Sequence, residues 1–339
     1  MIQTESIENF EFRGNAKEYF GIWIVNVLLS IVTLGIYSAW AKVRTKKYFY
    51  QNTYVADRNF DYHATGKQIL IGRLIVIAFF VAYSIMSALN PILALIMIVL
   101  VLGFTPYLIV RSAMFNARNS SWANVRFNFD GKVSTAAKVY LLYPILVAFT
   151  LYTTFPFLTR TMSRYGINGH TLGKTRFHFD SKIGPFYKAF LAPFVLGIGG
   201  IVAFFLITMD PVTMIPSPSK LFIGYLILLP ALVIGGVIYQ AIIRNHLYAH
   251  TRLGDHEFRS TVTVWGLLGL ILGNLLIVML SLGLLLPWAQ IRVARYMANN
   301  TQALPHGSID DFHGSIVQDQ SAIGDAYSDI EGVDLGLGI

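Results

Sequence analysis

An all-α polytopic membrane protein is the fold class this sequence predicts, and three observations carry it. Only 13% of the residues are charged, against about 25% in an ordinary soluble domain, and mean hydropathy is +0.56. About seven apolar runs have the length that crosses a hydrocarbon core roughly 30 Å thick. Those runs end in a recurring aromatic and basic pattern, which suits a membrane interface.

Residues 1–20 are polar, and Phe10-Glu11-Phe12 followed by Gly14-Asn15 predicts a short strand and turn. The first span is read over Gly21–Trp40, which carries no charge. Tyr37 and Trp40 stand at its end, followed by Lys42, Arg44, Lys46 and Lys47. Ile69–Leu89 and Ile92–Val110 follow, separated by Asn90-Pro91, and read as a helical hairpin. Val139–Thr159 is interrupted by Pro144 and Pro156, which membrane helices tolerate when neighbours satisfy the freed carbonyls. Phe190–Thr208, Leu221–Ile243 and Gly266–Pro287 complete the set. From Thr301 onward the chain is rich in Gly, Ser and Asp, without helical period, and is expected to be disordered. No Lys or Arg follows Arg295, so the acidic tail hides a body more basic than the net charge of +8 suggests. A basic and apolar body points to anionic lipid as partner rather than nucleic acid. There is no cysteine and hence no disulfide framework.

An internal repeat organises the chain. An aromatic-x-aromatic pair precedes the runs at Phe10, Phe60, Phe127 and Phe177, with a weaker form around Phe258. An exit motif, aromatic or polar then Arg at +4 and an aromatic at +8, reads Trp40-Arg44-Tyr48, Tyr107-Arg111-Phe115, Gln240-Arg244-Tyr248 and Trp288-Arg292-Tyr296. A degraded copy keeps Phe157 and Tyr165 with Thr161 in place of the Arg. The spacing predicts duplicated three-span units joined by short β-like polar segments. The divisions are a polar segment 1–20, a first unit 21–126, a second 127–255, a partial third 256–300, and the tail 301–339. Under seven crossings the basic segments divide almost evenly between the two faces, a weak inside bias. The alternative has 21–40, 139–159 and 266–287 dip in and return, gathering the basic segments on one face. Irregular backbone at membrane depth makes that costly unless it is covered, and seven crossings is the reading adopted.

Candidate site residues follow from the motif. At offsets 0, +4 and +8 one helical face carries ring, guanidinium and ring, so Trp40, Arg44, Tyr48, Arg111, Arg244, Trp288, Arg292 and Tyr296 are expected to anchor the protein to anionic headgroups. The competing reading pairs Arg44 and Arg292 with carboxylates such as Asp57 or Asp61. Asn26 and Asn274, polar within spans, are expected to hydrogen-bond between helices. His246 and His250 stand at i, i+4 and are the weak metal candidates. Interfacial histidines bonded to backbone or headgroups are the plainer reading, so no metal or other cofactor is assigned. Neither a phosphate-cradling G-x-x-x-x-G-K-[ST] nor a G-x-S-x-G elbow occurs, and no catalytic residue is nominated. The stretches 197–200 and 235–236 are rich in glycine and are expected to permit close helix packing.

The stretches FEFRGNAKEYF, TLGIYSAWAKVRTKKY and LLPWAQIRVARY resemble the YjgN-like family of bacterial inner-membrane proteins, from about Phe10 to Tyr296. The resemblance implies a multi-pass protein of the bacterial inner membrane and carries over no active-site residue, because the family's function is unknown. Two function classes remain: a transporter or lipid-handling protein that binds anionic lipid, and a non-catalytic membrane scaffold.

Overall fold

Helical hairpins and β-hairpins alternate along the chain in the computed structural model, which describes residues 7–317. Strands β1 (Glu8–Asn9) and β2 (Glu11–Phe12) lead into helices α1 (Ala16–Val32) and α2 (Ser38–Gln51). Then come β3 (Thr53–Val55) and β4 (Arg58–Tyr62), α3 (Gly66–Leu89) and α4 (Pro91–Arg118), β5 (Ser120–Trp122) and β6 (Val125–Phe129). A third helical hairpin has α5 (Val133–Ala137), a π-turn Lys138–Leu142 and α6 (Tyr143–Phe149) in one arm and α7 (Phe155–Gly169) in the other. The chain continues through β7 (His170–Leu172), β8 (Thr175–Phe179), α8 (Gly184–Thr208), α9 (Pro218–Ala249), β9 (Thr251–Leu253) and β10 (His256–Ser260). Helices α10 (Val264–Leu280) and α11 (Leu286–Asn299) precede β11 (Thr301–Leu304).

The strands form one antiparallel sheet, and it curls into a near-closed barrel. Its order is β1-β11-β10-β9-β8-β7-β6-β5-β4-β3-β2. The two ends meet because β1 and β2 are consecutive in the chain: Glu8 and Asn9 pair with Ala303 and Gln302, while Glu11 and Phe12 pair with Tyr54 and Thr53. Each β-hairpin has a two-residue connection, the tightest that strand twist permits. In two of them both residues are left-handed, Ala56-Asp57 and Ala123-Asn124.

The expected aromatic pairs are strand residues with period two, so both rings of a pair face inward. Phe10, Phe60, Phe127, Phe177 and Phe258 stack in succession around the barrel with centroids 6.2–6.4 Å apart. Two residues later Phe12, Tyr62, Phe129 and Phe179 are fully buried against the helices. The other end of the barrel is covered by the chain itself. Residues 309–317 are helical, and Ile309, Phe312 and Ile316 pack on Val55, Trp122, Val125, Leu172 and Leu253. Gly173 permits this, since a Cβ there would lie 2.6 Å from Ile316. The expected disordered tail is thus corrected in its first part: Thr301–Leu304 is a barrel strand because its backbone pairs with β10 and β1. Residues 318–339 lie outside the described residues.

Four helices are long and apolar enough to cross a membrane: α3, α4, α8 and α9. With 24 to 32 residues they are about 36–48 Å long at 1.5 Å per residue. Their apolar side chains face outward, as Ile77 and Phe80 do. Within one pair, Gly200 lies against Ala231 and Gly235 against Pro193, the close packing expected of the glycine-rich stretches.

The other three expected spans are not single helices. Gly21–Trp40, Val139–Thr159 and Gly266–Pro287 are each broken by a five-residue turn, at 33–37, 150–154 and 281–285. Leu34 and Gly35, Leu151 and Tyr152, and Leu282 and Gly283 take positive φ there. In each, a backbone N–H reaches back five residues, Gly35 to Ser30, Tyr152 to Val147 and Gly283 to Val278, which ends a helix without orphaning its carbonyls. Thr33 and Ser281 hydroxyls accept the N–H groups of Tyr37 and Leu285 as the next helix starts. The arms hold 14 to 17 residues, about 21–26 Å, and both return to the barrel. Leu34 and Leu282 at the tips are each 94% exposed.

The two rows of barrel rings differ in burial, and the fold responds accordingly. Phe129→Ala empties a site 2% exposed and is expected to cost about 3–5 kcal/mol. Phe177→Ala, on the half-buried row, is expected to lower the thermal unfolding midpoint much less. Melting both variants side by side checks this.

Candidate functional site

The exit motif separates into three structural roles. Its last residue closes the base of each broken hairpin. The Tyr48 hydroxyl accepts the Asn15 N–H and shares its one proton between the carbonyl of Asn15 at 3.0 Å and Glu18 Oε2 at 3.2 Å. Tyr165 donates to the carbonyl of Lys132 and Tyr296 to that of Thr263. Asn15, Lys132 and Thr263 are the N-caps of α1, α5 and α10. One tyrosine therefore ties the second arm to the start of the first in all three. Tyr48 is buried in this role, stacked on Tyr19.

The arginine of the motif spans the hairpin higher up. Arg44 Nη1 donates to Asn26 Oδ1 at 3.4 Å and to the Tyr37 hydroxyl at 3.1 Å. Arg292 Nη1 donates to Asn274 Oδ1 at 3.0 Å, and its guanidinium lies 4.7 Å from the Trp288 ring centre. Asn26 and Asn274 thus meet the two arginines, a pairing that sequence reasoning missed although each partner was singled out. The signal was the identical 18-residue separation of Asn and Arg in both hairpins. Asn274 also donates to the Ala289 carbonyl across its hairpin, while the buried Asn26 Nδ2 has no partner among the described residues. Trp40 stacks on Tyr37. In the long hairpins Arg111 Nε donates to the Tyr107 hydroxyl, and Arg244 lies over Tyr248 and donates to Thr301.

Arg44, Arg111 and Arg292 each stand seven residues before the barrel end of their helix, which is about 10 Å along the axis. Arg244, in the fourth such helix, stands five residues before its end. They form a belt below the barrel, with Arg244 two residues nearer to it than the other three. Among the described residues none of the four has a carboxylate partner. The carboxylates are engaged on the strands and their flanks: Asp57 with Arg13, Asp130 with Arg176, Glu257 with Arg252 and Asp310 with Arg58. Arg176 holds the Asp130 carboxyl below its usual range. Asp61 lies beside His63 instead of either arginine.

His246 and His250 do share one helix face, with ring centres 4.1 Å apart. His246 Nε2 is engaged by the Ser181 hydroxyl at 2.6 Å and His250 Nδ1 by the carbonyl of His246 at 2.9 Å. Among the described residues no three His, Cys, Asp or Glu stand close enough to share an ion.

The barrel interior holds a cavity of about 460 Å³ that no motif had indicated. The five stacked phenylalanines, Trp122, Leu172, Leu253, His256 and the covering residues Ile309 and Phe312 line it. Alternation of aromatic residues announced the strands, but a cavity requires the strands to close on one another.

A family model described as "Bacterial protein of unknown function (DUF898)" matches residues 7–330. A Salmonella typhimurium protein named Inner membrane protein YjgN is 26% identical, over 88% of this chain and 88% of its own length. One of the same name from Escherichia coli O157:H7 is 27% identical over 89% of each. A third, from Escherichia coli K12, is 32% identical over 45% of this chain and 39% of its own. No solved structure matches.

The tyrosine clamps are testable one by one. Tyr48→Phe removes a hydroxyl with three partners and is expected to lower stability by about 1–2 kcal/mol. Tyr296→Phe loses a single bond of 3.5 Å and should shift the melting midpoint less.

Proposed function

We propose the following for this chain, which belongs to the DUF898 family of bacterial proteins and is a multi-pass protein of the inner membrane: it handles anionic lipid, gathered by the arginine belt at headgroup depth. The single observation that carries this reading is the state of Arg44 and Arg292. Each is positioned by an asparagine and an aromatic ring from its own hairpin, and neither is neutralised by a carboxylate among the described residues. A guanidinium so held keeps donors for a phosphate. A charge within or near the bilayer calls for an anionic partner.

In this proposal four helices cross and three hairpins re-enter, with the barrel on the cytoplasmic face. Both ends of each broken hairpin return to the barrel, and the turn N–H groups are bonded within the chain, as backbone at membrane depth requires. Of the 26 Lys and Arg residues, only Lys220 stands at the ends of the long hairpins away from the barrel. That asymmetry favours a cytoplasmic barrel. On this topology successive units are not inverted, which speaks against an inverted-repeat transporter. The recurrence of broken and long hairpins over 21–126 and 127–255, with a further broken hairpin in 256–300, is read as duplication.

Topology is tested with reporters fused after Lys67, Lys188 and Asn90. The first two are expected to report the cytoplasm and the third the opposite side; opposite signals from Lys67 and Lys188 would restore seven crossings. Lipid handling is tested by replacing Arg44 and Arg292 with Gln and weighing co-purified phosphatidylglycerol and cardiolipin by mass spectrometry. Each lost charge is expected to weaken retention about fivefold, corresponding to about 1 kcal/mol. Unchanged lipid content with a lowered melting midpoint would assign both arginines to the fold alone.

A further inference from the structure

None of the belt arginines lines the barrel cavity, and its chemistry is different. The geometry points to a binding site for a neutral single-chain lipid, with its hydrocarbon against the phenylalanine row and its oxygen accepting the indole N–H of Trp122 once the ring turns that buried nitrogen toward the cavity. No Lys, Arg, Asp or Glu lines the cavity, so a buried carboxylate or phosphate would find no counter-charge there. The volume of about 460 Å³ lies within the range of small-molecule pockets.

Most polar atoms on the wall are already engaged. His170 Nδ1 meets the carbonyl of Gly166, and the Thr251 hydroxyl donates to that of Leu247. Trp122 Nε1 and His256 Nδ1 are different: both are buried and neither has a partner among the described residues. Trp122 is only 7% exposed. An indole nitrogen donates and never accepts, so the missing group is an oxygen acceptor. Burial keeps the His256 imidazole below its usual pKa and hence uncharged at neutral pH, which suits an uncharged ligand.

Register explains where the space comes from. Each phenylalanine of β4, β6, β8 and β10 faces a neighbour on the next strand: Phe60 faces Trp122, Phe127 faces Leu172, Phe177 faces Leu253 and Phe258 faces Ala303. Ala303 is the smallest of these partners. Over the opening lies the 309–317 segment, held by Phe312 against His256, by His313 donating to the Ala123 carbonyl, and by Asp310 with Arg58.

The test uses the full-length protein in lipid nanodiscs and a diazirine-bearing hexadecanol, with labelled peptides mapped by mass spectrometry. Saturable labelling is expected on barrel peptides within 120–129, 251–260 and 301–317, competed by unlabelled hexadecanol. A303W fills the gap and is expected to reduce that labelling at least tenfold. W122F keeps the ring but removes the donor and is expected to reduce it severalfold at subsaturating probe. Labelling confined to the outward faces of the helices would overturn the proposal, as would barrel labelling that hexadecanol fails to compete. Folded A303W that labels like the natural chain would overturn it too. If A303W does not fold, W122F decides, and unchanged labelling there overturns the assignment. A palmitate probe that labels the barrel as well as the alcohol would overturn the requirement for a neutral ligand.

Discussion

Both ends of every helical hairpin are tied to one sheet, and this tether governs the rest of the molecule. The strands are two to five residues long and individually too short to be stable. They persist because each continues directly into a helix and because the N-terminal segment joins the first hairpin to the last strand. With the barrel fixed, arm length alone sets depth. Arms of 24 to 32 residues are longer than a hydrocarbon core is thick, and arms of 14 to 17 residues are shorter.

A short hairpin that re-enters hydrocarbon, as proposed, needs a turn whose backbone groups are bonded within the chain. Leucine at positive φ is strained, yet Leu34, Leu151 and Leu282 all adopt it. The i to i−5 bond that follows each of them closes the first helix, and a hydroxyl at 33 or 281 opens the next. Local strain is tolerated because the alternative, orphaned amides in lipid, is worse.

Polar chemistry is layered by distance from the barrel. Ion pairs sit on the strands, where water screens them and each contributes little. One turn into the helices the tyrosines clamp the hairpin bases, and the arginines come next. Inside the barrel the layering reverses: aromatic rings surround an apolar space, and the buried indole of Trp122 is left without an acceptor. The molecule therefore offers two chemically opposite environments on one scaffold.

Membrane residence, the two long hairpins and the strand character of the aromatic pairs were legible because each is a local property: hydropathy, helix length and period-two alternation. The singled-out residues were legible too, since Asn26, Arg44, Asn274 and Arg292 break the chemistry of their surroundings. What local pattern did not reveal was partnership. Thr33-Leu34-Gly35 and Ser281-Leu282-Gly283 carried the signal for a helix end, but an uncharged run with the length of a span outweighed it. Whether such a run crosses or folds back depends on where its far end is anchored. That anchor is backbone pairing between strands as distant as Glu8 and Ala303. Hydrogen bonds between main-chain groups are blind to side-chain identity, so the tertiary structure alone decided the barrel, its cavity and the return of the three broken hairpins.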